Sequence, residues 1–272
     1  MDEEDSGFCA IERIEGALTA GVLLLCDHAS NALPARYGAL GLDRQQFERH
    51  IAYDIGAADV TRRLAAELGA PAVLTRFSRL LIDPNRGDDD PTLIMRLSDG
   101  AVIPGNVGLT EEERARRLRL YWRPYRESVS NLLDAMTASG PLPAIVSVHT
   151  FTPFWKGALR PWEVGILWDC DPRLPEPLIE ALRRTGVRVG ENEPYDGALL
   201  GDTLDAHANS RGLANALIEL RQDLVGEKAA AAAWAERLAS ALRPVLAAPD
   251  AHIIRRYPSR AATRPFRIVR TA

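Results

Sequence analysis

Two short apolar runs, each ending in residues that carry chemistry, constrain this chain more than anything else in it. The first, Val22-Leu23-Leu24-Leu25-Cys26, stops at Asp27-His28. The second, Ala144-Ile145-Val146-Ser147-Val148, stops at His149. Runs of this length and composition predict buried strands. In open α/β sheets, ligands bind outside the carboxyl ends of the strands. Two strand-terminal imidazoles therefore belong in one crevice, where neutral imidazole is the commonest metal ligand. A catalytic zinc site uses three protein ligands and keeps one position for water. The pattern predicts a site for one Zn²⁺, or another divalent ion, built around His28 and His149.

The rest of the chain alternates in the same style. Apolar periodicity predicts strands at 72–75, 80–82, 164–168, 187–189 and 214–220. Helical patterns run over 43–68, 111–136, 176–185 and 227–246. Thr110-Glu111-Glu112-Glu113 opens the second of these as a capping box, with a kink expected before Pro124. Alternation of this kind predicts an α/β fold, with a mixed, mostly parallel sheet between helical layers. The Gly/Asp/Pro-rich stretch 83–108 is longer than ordinary connections, a length that more often marks function. The boundaries read as an N-terminal extension over 1–19, a single domain over 20–250 and an Arg-rich tail over 251–272.

Charge and cysteine content narrow the function classes. A net charge of -4 argues against nucleic acid, which needs a basic face. Three widely spaced cysteines without a CxxC pair exclude a disulfide framework and a cysteine zinc site, and fit a reducing compartment. The acidic Met1-Asp2-Glu3-Glu4-Asp5 start is unlike a signal peptide, and no apolar run approaches the ~20 residues of a membrane span. The expectation is a cytoplasmic protein with neither nucleic-acid nor membrane partners. Between Ile253 and Ala272 stand Arg255, Arg256, Arg260, Arg264, Arg267 and Arg270 with no acid, which predicts a solvated or loosely docked tail.

A third metal ligand must come from elsewhere. His50 and Asp54 are four residues apart, so on a helix they share a face. Either both reach the ion, or one binds while the other orients a ligand. Asn31, one turn past His28, is a poor zinc ligand, and Asp27 can orient its neighbour or cap the turn. Glu219 lies in an apolar strand, where a carboxylate is costly unless paired or functional. Such a Glu could move a proton on and off an attacking water; the rival reading is an ion pair with Arg221 or Arg211. Arg86, after Ile82-Asp83-Pro84-Asn85, and Arg160, before Pro161-Trp162, suit a carboxylate-bearing ligand, because guanidinium binds carboxylate bidentately. His207 could donate to a developing oxyanion.

Taken together, the stretches CDHASNALP (26–34), HIAYDIGA (50–57), SRLLIDPNR (78–86), SVHTFTP (147–153), RPWEVGILW (160–168), NEPYDG (192–197) and HANSRGL with IELRQDL (within 207–224) resemble the N-formylglutamate amidohydrolase family. The similarity covers about residues 20 to 245. The resemblance implies a three-layer α/β/α fold like that of the zinc carboxypeptidases. It also implies a hydrolase of N-acyl amino acids that typically releases formate from N-formylglutamate, a small acidic substrate. Relatives with the carboxypeptidase-like fold open their metal site with His-x-x-Glu. The fourth position here is Asn31, which moves the acidic ligand to Asp54. His149 matches the later histidine of those relatives and Glu219 their general base. The expected assignment is metal on His28, Asp54 and His149, with proton transfer by Glu219 and oxyanion support from His207. Arg86, Asn85, Arg160, Asn192 and Arg211 would face the substrate, and His50, Asn31 and Asp27 would support the metal or replace a ligand. Two alternatives stay open: a zinc deacylase or carboxypeptidase-like amidase acting on another N-acyl amino acid, and a non-catalytic binder of acidic ligands on the same scaffold.

Overall fold

The Val22–Cys26 run is buried along its whole length, as a strand covered on both faces must be. In the computed structural model, which describes residues 7–261, it is one of seven strands of a single sheet. These are β1 (Ile11–Ile14), β2 (Val22–Cys26), β3 (Ala72–Thr75), β4 (Ala144–Phe151), β5 (Val164–Leu167), β6 (Val189–Glu191) and β7 (Asn215–Arg221). Their spatial order is β1-β3-β2-β4-β7-β5-β6. The central β3-β2-β4-β7 strands are parallel, β1 runs antiparallel to β3, and β5 runs antiparallel to β7.

Because strand side chains alternate, each central strand feeds two cores. Leu24, Val146, Val148 and Ile218 pack beneath α1 (Ala57–Leu68), α4 (Pro175–Arg183) and α6 (Lys228–Leu246), where Val60, Leu64, Leu178, Trp234 and Leu238 meet them. Leu23, Leu25, Ile145 and Leu217 face α3 (Arg123–Ser139) and α5 (Thr203–His207), against Val129, Leu132, Leu133 and Leu204. The fold is thus a three-layer α/β/α sandwich with a mixed, mostly parallel sheet. Each fully buried leucine contributes roughly 1.5–3 kcal/mol relative to exposure. Among the described residues no helix is long and apolar enough to cross a membrane.

Four local expectations need correction. The 43–68 pattern is not one helix: a 3-10 turn at Arg44–Glu48 and α1 are separated by irregular chain. Gly56 explains the break, since it has φ 85° and any Cβ there would lie 2.4 Å from the Val225 carbonyl oxygen. Leu80–Ile82 is not a strand. It is a buried loop that joins Phe47, Phe77, Ile103 and Tyr121 in a third apolar cluster beneath the long 83–108 connection. The 111–136 helix is two helices, α2 (Glu111–Arg117) and α3, joined by a π-turn at Leu118–Trp122. The Thr110 hydroxyl does cap α2, accepting from the Glu113 N–H at 3.2 Å.

The fourth correction concerns the ends. β1 lies inside the expected N-terminal extension yet completes the sheet edge, pairing Ile11 with Thr75. The first part of the tail is fastened rather than loose. The Arg255 N–H donates to the Gly212 carbonyl at 2.9 Å, and Arg260 donates to the Asp169 and Trp168 carbonyls. Arg264, Arg267 and Arg270 lie outside the described residues.

Candidate active site

The carboxyl ends of β2, β4 and β7 supply the chemistry. β2 delivers Asp27 and His28, and β4 carries His149 on the face that packs α3 and α5. β7 sets Glu219 directly beside His149 in the ladder. Asp54 arrives from the irregular stretch before α1, not from a helix face, and its position is fixed by its own backbone: the Asp54 N–H donates to the His28 carbonyl at 2.9 Å.

His28, Asp54 and His149 are all buried, and their ligand atoms lie within 4.8 Å of one another. Asp54 Oδ2 sits 3.4 Å from His28 Nδ1 and 2.9 Å from His149 Nδ1. The far side of each ring faces another buried carboxylate. His28 Nε2 is 2.8 Å from Asp83 Oδ1, and His149 Nε2 is 2.9 Å from Asp27 Oδ2. A carboxylate behind a histidine keeps the proton on that nitrogen and turns the other lone pair inward, the arrangement found behind metal-bound histidines. His28 Nδ1 is buried with no hydrogen-bond partner. Two imidazoles and a carboxylate around one point, backed by Asp27 and Asp83, suit zinc or a similar divalent cation.

The supporting carboxylates are held ionised. Burial works to raise the Asp27 carboxyl, but the hydrogen bond and charge of His149, the charge of His28 and the Thr203 hydroxyl keep it below the usual range. Ser147 and Thr203 donate to Asp27 at 2.8 and 2.6 Å. Burial likewise opposes ionisation of Asp54, and both histidines overcome it. For Asp83 the offsetting groups are Arg79, whose guanidinium donates to it at 2.6 Å, and His28. Burial alone would depress His149, yet Asp27 and Asp54 hold its protonated form well above the ordinary range.

Glu219 differs from these aspartates. Its Oε2 is buried without a hydrogen-bond partner. Burial pushes the carboxyl up to about 8; Asp54 adds to the rise, and His149, Arg79 and Arg160 moderate it. Neither rival partner reaches it, because Arg221 pairs with Asp223 at 2.8 Å and Arg211 with Asp134 at 2.5 Å. A carboxyl with a raised pKa at the floor of a cleft is suited to proton transfer.

A cleft of about 350 Å³ opens over these groups, near the lower end of small-molecule sites. Asn85, Arg86 and His50 line it, along with Thr152, Tyr195, Asp202 and Gln222. Arg160 lies behind the wall, donating to the Tyr195 hydroxyl at 3.0 Å and to Thr152. Four expected residues have other commitments. Arg211 faces outward to Asp134 and Ser130 of α3, because it precedes the amino end of β7, opposite the carboxyl ends that carry the site. The Asn192 side-chain oxygen accepts from the Trp168 and Gly197 N–H groups, so it shapes its own loop. Asn31 donates to the Phe47 carbonyl at 2.9 Å. His207 ends α5 within the helical layer and does not line the cleft; burial, with Arg126 and Arg211, pushes its pKa down to about 4.

Asp83 and Arg79 have positions that sequence reasoning did not assign. Asp83 ends an apolar run, as Asp27 does, and that shared pattern was the available signal. Tyr195 and Gln222 come from loops that carry no such mark.

The fold and the imidazole–carboxylate trio define an α/β protein with a candidate metal centre at the carboxyl ends of its central strands. The FGase (N-formylglutamate amidohydrolase) family model matches residues 20–225, and the chain belongs to that family. An N-formylglutamate deformylase of Pseudomonas putida is 28% identical over 130 residues, 42% of this chain and 49% of that relative. The chain thus spans about half the length of this curated relative. The solved structure of gene product Atu2144 from Agrobacterium tumefaciens is 35% identical, with a TM-score of 0.82, and the match covers 87% of this chain and 94% of that one. The N-formylglutamate amidohydrolase structure from Ralstonia eutropha JMP134 shares the fold at 20% identity and a TM-score of 0.68, over 88% and 97% of the two chains.

Proposed function

We propose that this protein is a metal-dependent amidohydrolase that cleaves the N-formyl amide of N-formylglutamate or a close acidic N-acyl amino acid. The observation that carries the reading is Glu219: a buried carboxyl with an unpartnered oxygen, fixed by strand register beside the His28–Asp54–His149 trio. Family membership supports the choice of substrate.

His28, Asp54 and His149 would hold the cation, and a bound Zn²⁺ supplies Lewis acidity that activates water near neutral pH. Asp83 and Asp27 keep the two imidazoles in the tautomer that turns Nδ1 inward. Glu219 accepts a proton from the attacking water at its carboxylate and returns it to the departing nitrogen. Arg86, on the cleft wall, is the group placed to receive a substrate carboxylate. Arg160 contributes through Tyr195 and Thr152, whose side chains it holds at the cleft.

The test is formate release from N-formyl-L-glutamate by zinc-loaded protein and by its Glu219→Gln variant. The wild type should turn over, and the variant should lose about 10²- to 10⁴-fold in kcat while retaining an equivalent of metal. A fully active variant sinks the base assignment, and an inactive wild type sinks the substrate reading.

A further inference from the structure

Arg126 is a half-buried guanidinium that forms no ion pair with any carboxylate among the described residues. One of its nitrogens instead donates to three backbone carbonyls: Pro84 at 3.3 Å, Arg86 at 3.1 Å and Gly201 at 2.6 Å. These carbonyls belong to two different loops. The first loop supplies Asn85 and Arg86 to the cleft, and the second supplies Leu199 and Asp202.

The loops approach each other through two glycines, and beside them the Thr203 N–H donates to the Asn85 side-chain oxygen at 3.0 Å. A Cβ on Gly201 would lie 3.0 Å from the Gly87 Cα. The π-turn before α3 sets up the contact, because it ends at Trp122, four residues before Arg126 and therefore on the same helical face. The Arg126 guanidinium stacks 4.4 Å from the Trp122 ring, and the Trp122 indole N–H donates to the Arg86 carbonyl at 3.0 Å. Such π-turns recur at functional sites because they re-aim side chains that a regular helix would point elsewhere.

We propose that Arg126 is a positioning residue: it clamps loops 84–87 and 199–202 together and so fixes Arg86 at the cleft for the substrate carboxylate. The inference rests on the reading of Arg86 as that receptor. Arg126 acts through Arg86 and touches neither the metal ligands nor Glu219. Losing the clamp therefore weakens substrate capture more than it slows the chemical step.

The test pairs kinetics with hydrogen exchange on the full chain. In Arg126→Ala, KM for N-formylglutamate should rise about tenfold with kcat within about threefold, and added guanidinium should restore it. Amide exchange should quicken in 84–87 and 199–202 together while the sheet stays protected. Trp122→Phe keeps the stack and loses one donor, so it should give the same pattern in weaker form; it carries the test if Arg126→Ala does not fold. Unchanged exchange in both loops overturns the clamp, as does a fall in kcat at constant KM. A wild type that releases no formate refutes the proposed substrate, and the exchange data alone then decide for or against the clamp.

Discussion

Asp202 lines the cleft with its side chain nearly sealed from solvent, and its oxygen caps α5 by accepting the Asp205 N–H at 2.7 Å. Burial lifts its carboxyl from 3.8 to about 7; the Asp205 N–H opposes this, and the charge of Asp27 reinforces it. The sign follows from linkage. Below about pH 3.8 the group is protonated in folded and unfolded chains alike, and it costs the fold nothing. As pH rises toward 7 the unfolded chain gives up the proton while the folded chain keeps it, so stability falls. Above pH 7 the accumulated loss is about 4 kcal/mol. Asparagine keeps the cap, being as good an N-cap as aspartate, and removes the ionisation. In EDTA-treated protein Asp202→Asn should therefore gain about 4 kcal/mol at pH 8, a Tm rise of roughly 7 °C for a chain of this size, and gain almost nothing at pH 4. Calorimetry at the two pH values measures this directly. An equal Tm shift at both pH values would refute the reasoning.

Two further outcomes follow from the same geometry. Asp83→Asn removes the carboxylate behind His28 Nε2, so zinc affinity in a chelator competition should fall about 10- to 100-fold; unchanged affinity would remove Asp83 from the metal site. His207 is held neutral, with its pKa lowered to about 4, so the folded chain resists a proton that the unfolded chain accepts as pH falls below 6.5. Wild type should lose about 3 kcal/mol between pH 6.5 and pH 4 from this residue alone, and His207→Gln should lose less over that interval by urea denaturation.

The parts of the site written into strands were the most legible. An apolar run interrupted or ended by a polar group announces both a buried strand and a reason for burying that group, which is how His28, His149 and Glu219 stand out. Asp54 was visible as a carboxylate, but its geometry was not. The helical spacing from His50 does not hold, because residues 49–56 form turns and irregular chain, and a backbone hydrogen bond to His28 takes its place. The partners of the histidines were harder to see, since Asp83 meets His28 from 55 residues away and no local spacing encodes that contact. Loop residues such as Tyr195 and Gln222 follow no periodicity, so only the folded chain shows that they line the cleft. The Leu80–Ile82 run was misleading for a related reason: a loop buried beneath a long connection is as apolar as a strand.

His149 and Glu219 are neighbours across two parallel strands, paired residue for residue from Asn215↔Ile145 to Arg221↔Phe151. Their separation is a lattice spacing of the sheet, owed to backbone hydrogen bonds and indifferent to the loops above. The walls of the cleft, by contrast, come from the segments around 84–87, 152–160 and 192–202. On the proposed function, the molecule is in effect a fixed reaction centre under an exchangeable rim. Grafting new rim segments onto this sheet should alter which acyl amino acid is accepted and leave the bond-breaking geometry where it was.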